Sequence, residues 1–204
     1  MFYRKPLTYS FSSLEPYIDY PTMDEHYNAH YKKYTQNLNE LIPDNDGSEE
    51  SVKNIIKNTM MYGESNTKVR NNAGGYYNHL LYFENISPYN RGYENFASED
   101  LKSAIGDFSK FKERFSKIGA EVFGSGWVWL VQGKGDIISS LYGNTFIMST
   151  VNQDNPLMSI DCNILLGMDV WEHAYYLKHK ANRKAYIDAF FQTIDWKVVS
   201  DRLK

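Results

Sequence analysis

The chain has a single cysteine, Cys162, among 204 residues. One thiol cannot close an internal disulfide, and the pattern suits a reducing compartment. Cys162 lies in the apolar run Ile160–Leu166 with no histidine beside it in sequence, so it reads as a small buried thiol rather than a nucleophile. Long apolar runs are also missing. None approaches a membrane span, and the opening Met1-Phe2-Tyr3-Arg4-Lys5-Pro6 lacks the apolar stretch of a signal peptide. A soluble, cytoplasmic protein is expected, with no membrane partner. Net charge is only −3, which argues against a nucleic-acid surface or a polyanionic tail. Internal repeats and low-complexity segments are absent. Gly133-Lys134-Gly135 lacks the Walker spacing and reads as a hairpin turn.

Aromatic residues, by contrast, are abundant: 17 Tyr, 11 Phe and 4 Trp, or 16% of the chain. Their ordinary use is an aromatic core or interface. The length suits one large domain or two small ones sharing a core. Histidine is scarce, at five, yet four of the five fall in three short segments. These are His26-x3-His30-x3-Tyr34, then Asn78-His79, then Asp169-Val170-Trp171-Glu172-His173.

Two imidazoles one helical turn apart, His26 and His30, can converge on one point, although both need not be ligands. Asp169 and His173 are also four apart, and the Ile160 strand runs straight into Asp169. His79 follows Gly74-Gly75, and glycine inside a helix costs roughly 1 kcal/mol, which suggests a close-packing need there. His179, flanked by Lys178 and Lys180, reads as exposed. Three imidazoles and one carboxylate without a thiolate favour Mn, Fe or Zn. Zinc hydrolysis would also need an evident general base, and no paired-carboxylate pattern supplies one. A di-iron bundle would need Glu-x-x-His motifs on two helices, and the chain has none.

The local signals place these segments. Thr22 and Glu25 form a T-x-x-E capping box, predicting a helix from there to about Leu41. Met23, His26, His30, Tyr34 and Leu38 share one face of it. Pro43 to Ser48 is a turn. A second helical region follows over about 49–84, broken near Gly63, so the two form an antiparallel hairpin. Residues 85–97 are polar and mark a boundary. Phe108, Phe111, Phe115, Ile118 and Val122 step as an amphipathic helix. Strands are expected at Trp127–Val131, Ile137–Tyr142, Thr145–Val151 and Ile160–Gly167. Helices from about Trp171 to Lys180 and Arg183 to Ile194 close the chain.

Taken in order, His26-x3-His30-x3-Tyr34, Asn71-Asn72-Ala73-Gly74-Gly75, Asn78-His79, Gly124-Ser125-Gly126-Trp127, Asn152-Gln153-Asp154 and Asp169-Val170-Trp171-Glu172-His173-Ala174-Tyr175-Tyr176 resemble the iron/manganese superoxide dismutase family over essentially the whole chain. The resemblance implies an α+β fold: an N-terminal antiparallel helical hairpin, residues 1–88, then an α/β domain with a three-stranded antiparallel sheet, residues 89–204. It implies one Mn (or Fe) ion between them, held by His26, His79, Asp169 and His173. Redox cycling of that ion would convert superoxide to oxygen and hydrogen peroxide. His30 and Tyr34 would line the substrate funnel, and Gln153 would hydrogen-bond Tyr34 and the metal-bound solvent. Trp127 and Trp171 would wall the pocket, and Arg183 would draw the anion to the funnel mouth. Glu172 and Tyr176 would reach His173 and His30 of a second subunit, making a homodimer or a tetramer.

In iron-type members the outer glutamine lies four residues before the second histidine ligand. That place is Gly75 here and the glutamine is Gln153, so the chain resembles the manganese type, or one active with either metal. Phe83, Phe191 and Tyr76 stand where Trp, Trp and His are usual, and Lys184-Ala185 replaces a Pro-Asp; none is a ligand position. Two other readings remain at this stage: a binding or structural protein on the same scaffold without turnover, and a zinc hydrolase.

Overall fold

The computed structural model describes residues 1–59, 67–135 and 144–204. The break expected near Gly63 and the strand expected at Ile137–Tyr142 lie outside those residues. The fold is α+β, as expected. The first long helix is built in three parts: α1 (Tyr20–Asp24), a π-helical segment (Glu25–Tyr31) and α2 (Lys32–Leu41). Asp19, not Thr22, caps it. The Asp19 carboxylate accepts from the Thr22 amide at 3.3 Å and the Thr22 hydroxyl at 2.5 Å. Pro21 suits the start, where its missing N–H would be unpaired anyway. The capping-box motif was misplaced because Asp19 satisfies the same orphan donors three residues earlier.

Helices α3 (Glu49–Asn58) and α4 (Thr67–Asn85) follow. Asn37 meets Asn72 and Tyr34 meets Gly75, so α2 and α4 run antiparallel as a hairpin. Two short helices, α5 (Tyr93–Phe96) within the polar stretch and α6 (Glu99–Ile105) just beyond it, precede α7 (Phe108–Glu121). Helix α7 buries Phe111 and Phe115, as the 3-4 spacing dictates.

The sheet has three antiparallel strands in the order β2-β1-β3: β1 (Gly126–Gly133), β2 (Thr145–Val151) and β3 (Cys162–Asp169). Strand β3 starts two residues later than expected and extends to Asp169. Trp127 pairs with Asp169 in its register, which puts that carboxylate at the end of the central strand pair. Strand β3 packs against α4, and α7 covers β1 and β2. The expected helix at Trp171–Lys180 is instead a 3-10 turn, Glu172–Ala174, followed by α8 (Tyr176–His179). Asp169 explains the break: its Oδ1 accepts from the Trp171 amide at 2.8 Å and pins an extended residue before the turn. Helices α9 (Arg183–Phe190) and α10 (Trp196–Asp201) finish the fold. No helix among the described residues is long and apolar enough to cross a membrane. Cys162 is buried, and burial pushes its thiol up to about 12, so it is inert as expected.

Candidate metal centre

Helix α4, the π-helical segment and the β3–turn junction each bring one or two donors to a single point. His26, His79, Asp169 and His173 each offer a ligand atom, and these atoms lie within 4.8 Å of one another. Asp169 Oδ2 is 3.1 Å from His173 Nε2, 3.2 Å from His26 Nε2 and 3.9 Å from His79 Nε2. His26, His79 and Asp169 are essentially inaccessible to solvent. Nε2 of both His26 and His79 has no hydrogen-bond partner, although a buried polar atom left unpaired costs about 1–3 kcal/mol. His79 Nδ1 lies 2.6 Å from the Gly75 carbonyl, so it carries the proton and leaves Nε2 with a free lone pair.

Protonation favours ligation too. Burial presses the His26 imidazole down to about 4, and burial holds His79 well below its ordinary range. Burial alone would raise the Asp169 carboxyl, but His173 and His26 more than reverse it and keep it ionised. Neutral imidazoles and an ionised carboxylate are the forms that bind a metal. The two orphaned nitrogens converging on one carboxylate oxygen fit a metal held by oxygen and nitrogen.

A second layer rests on this cluster. Gln153 is buried, and its Oε1 accepts from Trp127 Nε1 at 3.1 Å and Asn78 Nδ2 at 3.2 Å. Those two donors fix the amide's orientation, so Nε2 points to the Tyr34 hydroxyl at 3.3 Å. Gly74 and Gly75 make the approach possible. A Cβ on Gly74 would lie 2.0 Å from the Gln153 carbonyl oxygen, and one on Gly75 2.4 Å from the Tyr34 ring. The close packing suggested by two glycines inside a helix is thus present at both positions.

Residues 2–87 match the alpha-hairpin domain of iron/manganese superoxide dismutases, and residues 94–202 match that family's C-terminal domain. The chain belongs to this family. It is also 40% identical to superoxide dismutase [Mn] 1 of Leptolyngbya boryana over 201 residues, covering 97% of this chain and 78% of that protein. It is an oxidoreductase that dismutates superoxide.

Other parts of the dismutase fall around the centre. Trp127 meets His79 edge-on at 5.4 Å, and Trp171 stacks on His173 at 5.6 Å. His30 does not join the four donors. Its ring stacks on His173 at 3.8 Å, half-buried, and its Nε2 is 4.0 Å from Glu25. Glu172 and Tyr176 are exposed. Arg183 Nη1 and Nη2 donate to the Val122 and Gly124 carbonyls, and Nε to the Tyr175 hydroxyl. No carboxylate among the described residues pairs with it, so its charge is not neutralised locally.

Phe83 packs on His26 at 5.1 Å, while Tyr76 turns away and donates to the Tyr3 carbonyl at 3.1 Å. Phe191 belongs to the cluster of Phe108, Phe111 and Phe115. His179, expected to be exposed, is partly buried with Nε2 3.1 Å from the Tyr17 carbonyl. Sequence reasoning missed Asn155 and Arg70. Asn155 donates to Asn78 Oδ1 at 2.8 Å, and Arg70 grips Asp154 with two bonds of 2.8 and 2.7 Å, fixing the loop that carries Gln153. Asn-Gln-Asp-Asn in a loop carries no signal that would announce this.

Proposed function

We propose that the dismutase holds one manganese ion at His26, His79, Asp169 and His173, with iron as the alternative metal. The convergence of four donor atoms, three of them on buried residues and two of them unpaired imidazole nitrogens, carries this reading. Preference for manganese is supported by Gly75, where the Tyr34 ring leaves no space for the side chain of an iron-type glutamine. The manganese in the name of the Leptolyngbya relative supports it further. The bound ion would supply reversible one-electron exchange with superoxide.

The surrounding residues manage access and protons. Tyr34 accepts a hydrogen bond from Gln153, so its own O–H is free to serve the pocket, and burial raises its pKa and keeps it protonated at neutral pH. Tyr34→Phe is expected to retain metal but change turnover or product inhibition by about tenfold, the scale of outer hydrogen-bond partners in metal sites. Stopped-flow decay of superoxide, with metal content measured on the same sample, checks this; unchanged kinetics would remove Tyr34 from the proton path. His30 lines the funnel beside it, Trp127 and Trp171 wall the pocket, and Arg183 adds an unneutralised positive charge toward the anionic substrate.

The dismutase works as a homodimer or a tetramer, with Glu172 and Tyr176 reaching His173 and His30 of the second copy. Their exposure in a chain otherwise rich in buried aromatics supports this. Glu172→Ala is expected to weaken self-association and loosen metal retention by about tenfold. Sedimentation and metal analysis test it; an unchanged dimer with unchanged metal content would count against the role. The division into parts 1–88 and 89–204 is supported by the family matches ending at residue 87 and resuming at 94. The lone free, buried thiol of Cys162 supports a cytoplasmic location.

A further inference from the structure

One stripe of helix α4 carries the loop that holds Gln153. Arg70, Gly74 and Asn78 are spaced four residues apart, so they share a face of the helix. Three consecutive loop residues are tied to that stripe, each in its own way. Gln153 accepts from Asn78 Nδ2 through its backbone carbonyl at 3.1 Å and through its side chain at 3.2 Å. Asp154 is gripped by the Arg70 guanidinium, by Nε at 2.8 Å and Nη2 at 2.7 Å. Asn155 donates to Asn78 Oδ1 at 2.8 Å. Between the two anchors, Gly74 lets the loop lie against the helix backbone, with no room even for a methyl group.

Asp154 also reaches the Gln153 amide from the sheet side. Its carbonyl accepts from the Thr150 hydroxyl at 2.6 Å, and that hydroxyl accepts from Trp129 Nε1 at 2.9 Å. Trp129 stacks on Trp127 at 5.3 Å, and Trp127 Nε1 donates to Gln153 Oε1 at 3.1 Å. Asn78 and Asn155 are fully buried, whereas the Arg70 and Asp154 side chains are 34% and 23% exposed. An ion pair that open to water adds little to stability. Its two parallel bonds add geometric precision instead, because a guanidinium fork takes a carboxylate in one orientation.

We propose that the Arg70–Asp154 pair sets the position of Gln153 beside the metal centre, and thereby the potential of the bound ion and the preference for manganese over iron. Both are positioning residues, since neither is among the four donors. The inference rests on the metal assignment under the proposed function. The Gln153 amide ends 3.3 Å from the Tyr34 hydroxyl, at the long end of hydrogen-bond lengths, so a small displacement of the loop breaks or tightens that contact. Outer partners of this kind orient the groups around a metal and tune its potential.

Redox titration of the manganese-loaded enzyme tests it, with metal content and Tm measured on each sample. Arg70→Gln and Asp154→Asn are each expected to keep full metal content and to lower Tm by no more than about 2–4 °C. Each is expected to displace the midpoint potential by about 59 mV, the equivalent of a tenfold change for one electron. The ratio of manganese to iron activity is expected to change by about tenfold with it. The double variant is expected to move the potential no further than either single one, because the two side chains act as a unit. Arg91→Gln removes bonds to the Ser13 and Ser87 carbonyls, outside every tether of Gln153, and is expected to lower Tm with the potential unmoved. An unmoved potential in both single variants overturns the proposal, and so does an equal shift in Arg91→Gln. Additive shifts in the double variant overturn the coupling of the pair. Wild-type protein that takes up no manganese would instead overturn the metal assignment itself.

Discussion

Asp169→Ala is expected to leave purified protein with far less than one metal ion per chain and with dismutation reduced by more than about a hundredfold. Asp169 is the only carboxylate among the four donors, and one of its oxygens sits within 3.9 Å of all three ring nitrogens. Removing one partner of a buried charged set costs about 3–5 kcal/mol, which corresponds to a loss of roughly two to four orders of magnitude in affinity. The same carboxylate holds the Trp171 amide through Oδ1, so alanine also loosens the turn that aims His173. Asp169→Asn separates the two effects, because it can keep the backbone contact but not the negative charge. It is expected to fold with near-normal stability and still bind metal poorly. A metal-loaded Asp169→Ala enzyme with ordinary rates would refute the ligand assignment.

Gly74→Ala is expected to be the most damaging single-methyl change near the centre. Its Cβ would stand 2.0 Å from the Gln153 carbonyl oxygen, and a backbone atom cannot rotate out of the way. Relief requires moving α4 away from the 152–155 loop, at a cost of about 3 kcal/mol, the upper part of the range for overpacking. For a chain of this size that corresponds to a fall in Tm of roughly 6–12 °C. The movement would also pull Gln153 from Tyr34, so activity should drop by about tenfold or more even at temperatures where the protein remains folded. A calorimetric scan and a rate measured well below the transition check both parts. An unchanged melting curve with full activity would show that the loop has slack not evident in its close packing.

Periodic segments were the most legible parts of the fold. The Phe108–Val122 stepping gave α7 nearly to the residue, and the short runs around Trp127 and Thr145 gave β1 and β2. Boundaries fixed by side-chain bonds were less visible. Asp19 captures the N-terminal cap that Thr22 and Glu25 advertise, and Asp169 turns an expected helix into an extended residue and a 3-10 turn. The π-helical segment, which buries His26 and Tyr31, has no sequence signature. It leaves His26 buried and His30 half-exposed although they are four residues apart.

In the site, histidine spacing and the Asp169 segment announced the cluster, and the family resemblance gave the order of the parts. What holds Gln153 in place could not be read. Asn155 meets Asn78 across 77 residues and Arg70 meets Asp154 across 84, and neither pair has a local pattern.

The central claim is that these four donors hold a redox metal that turns over superoxide, with manganese preferred. The most direct measurement is the dismutation rate per bound metal ion after the stripped protein is reconstituted separately with Mn and with Fe. The expected result is about one ion per chain with either metal and full activity with Mn. Stoichiometric Mn without dismutation, or a native protein that carries one zinc per chain and hydrolyses a substrate instead, would contradict the account.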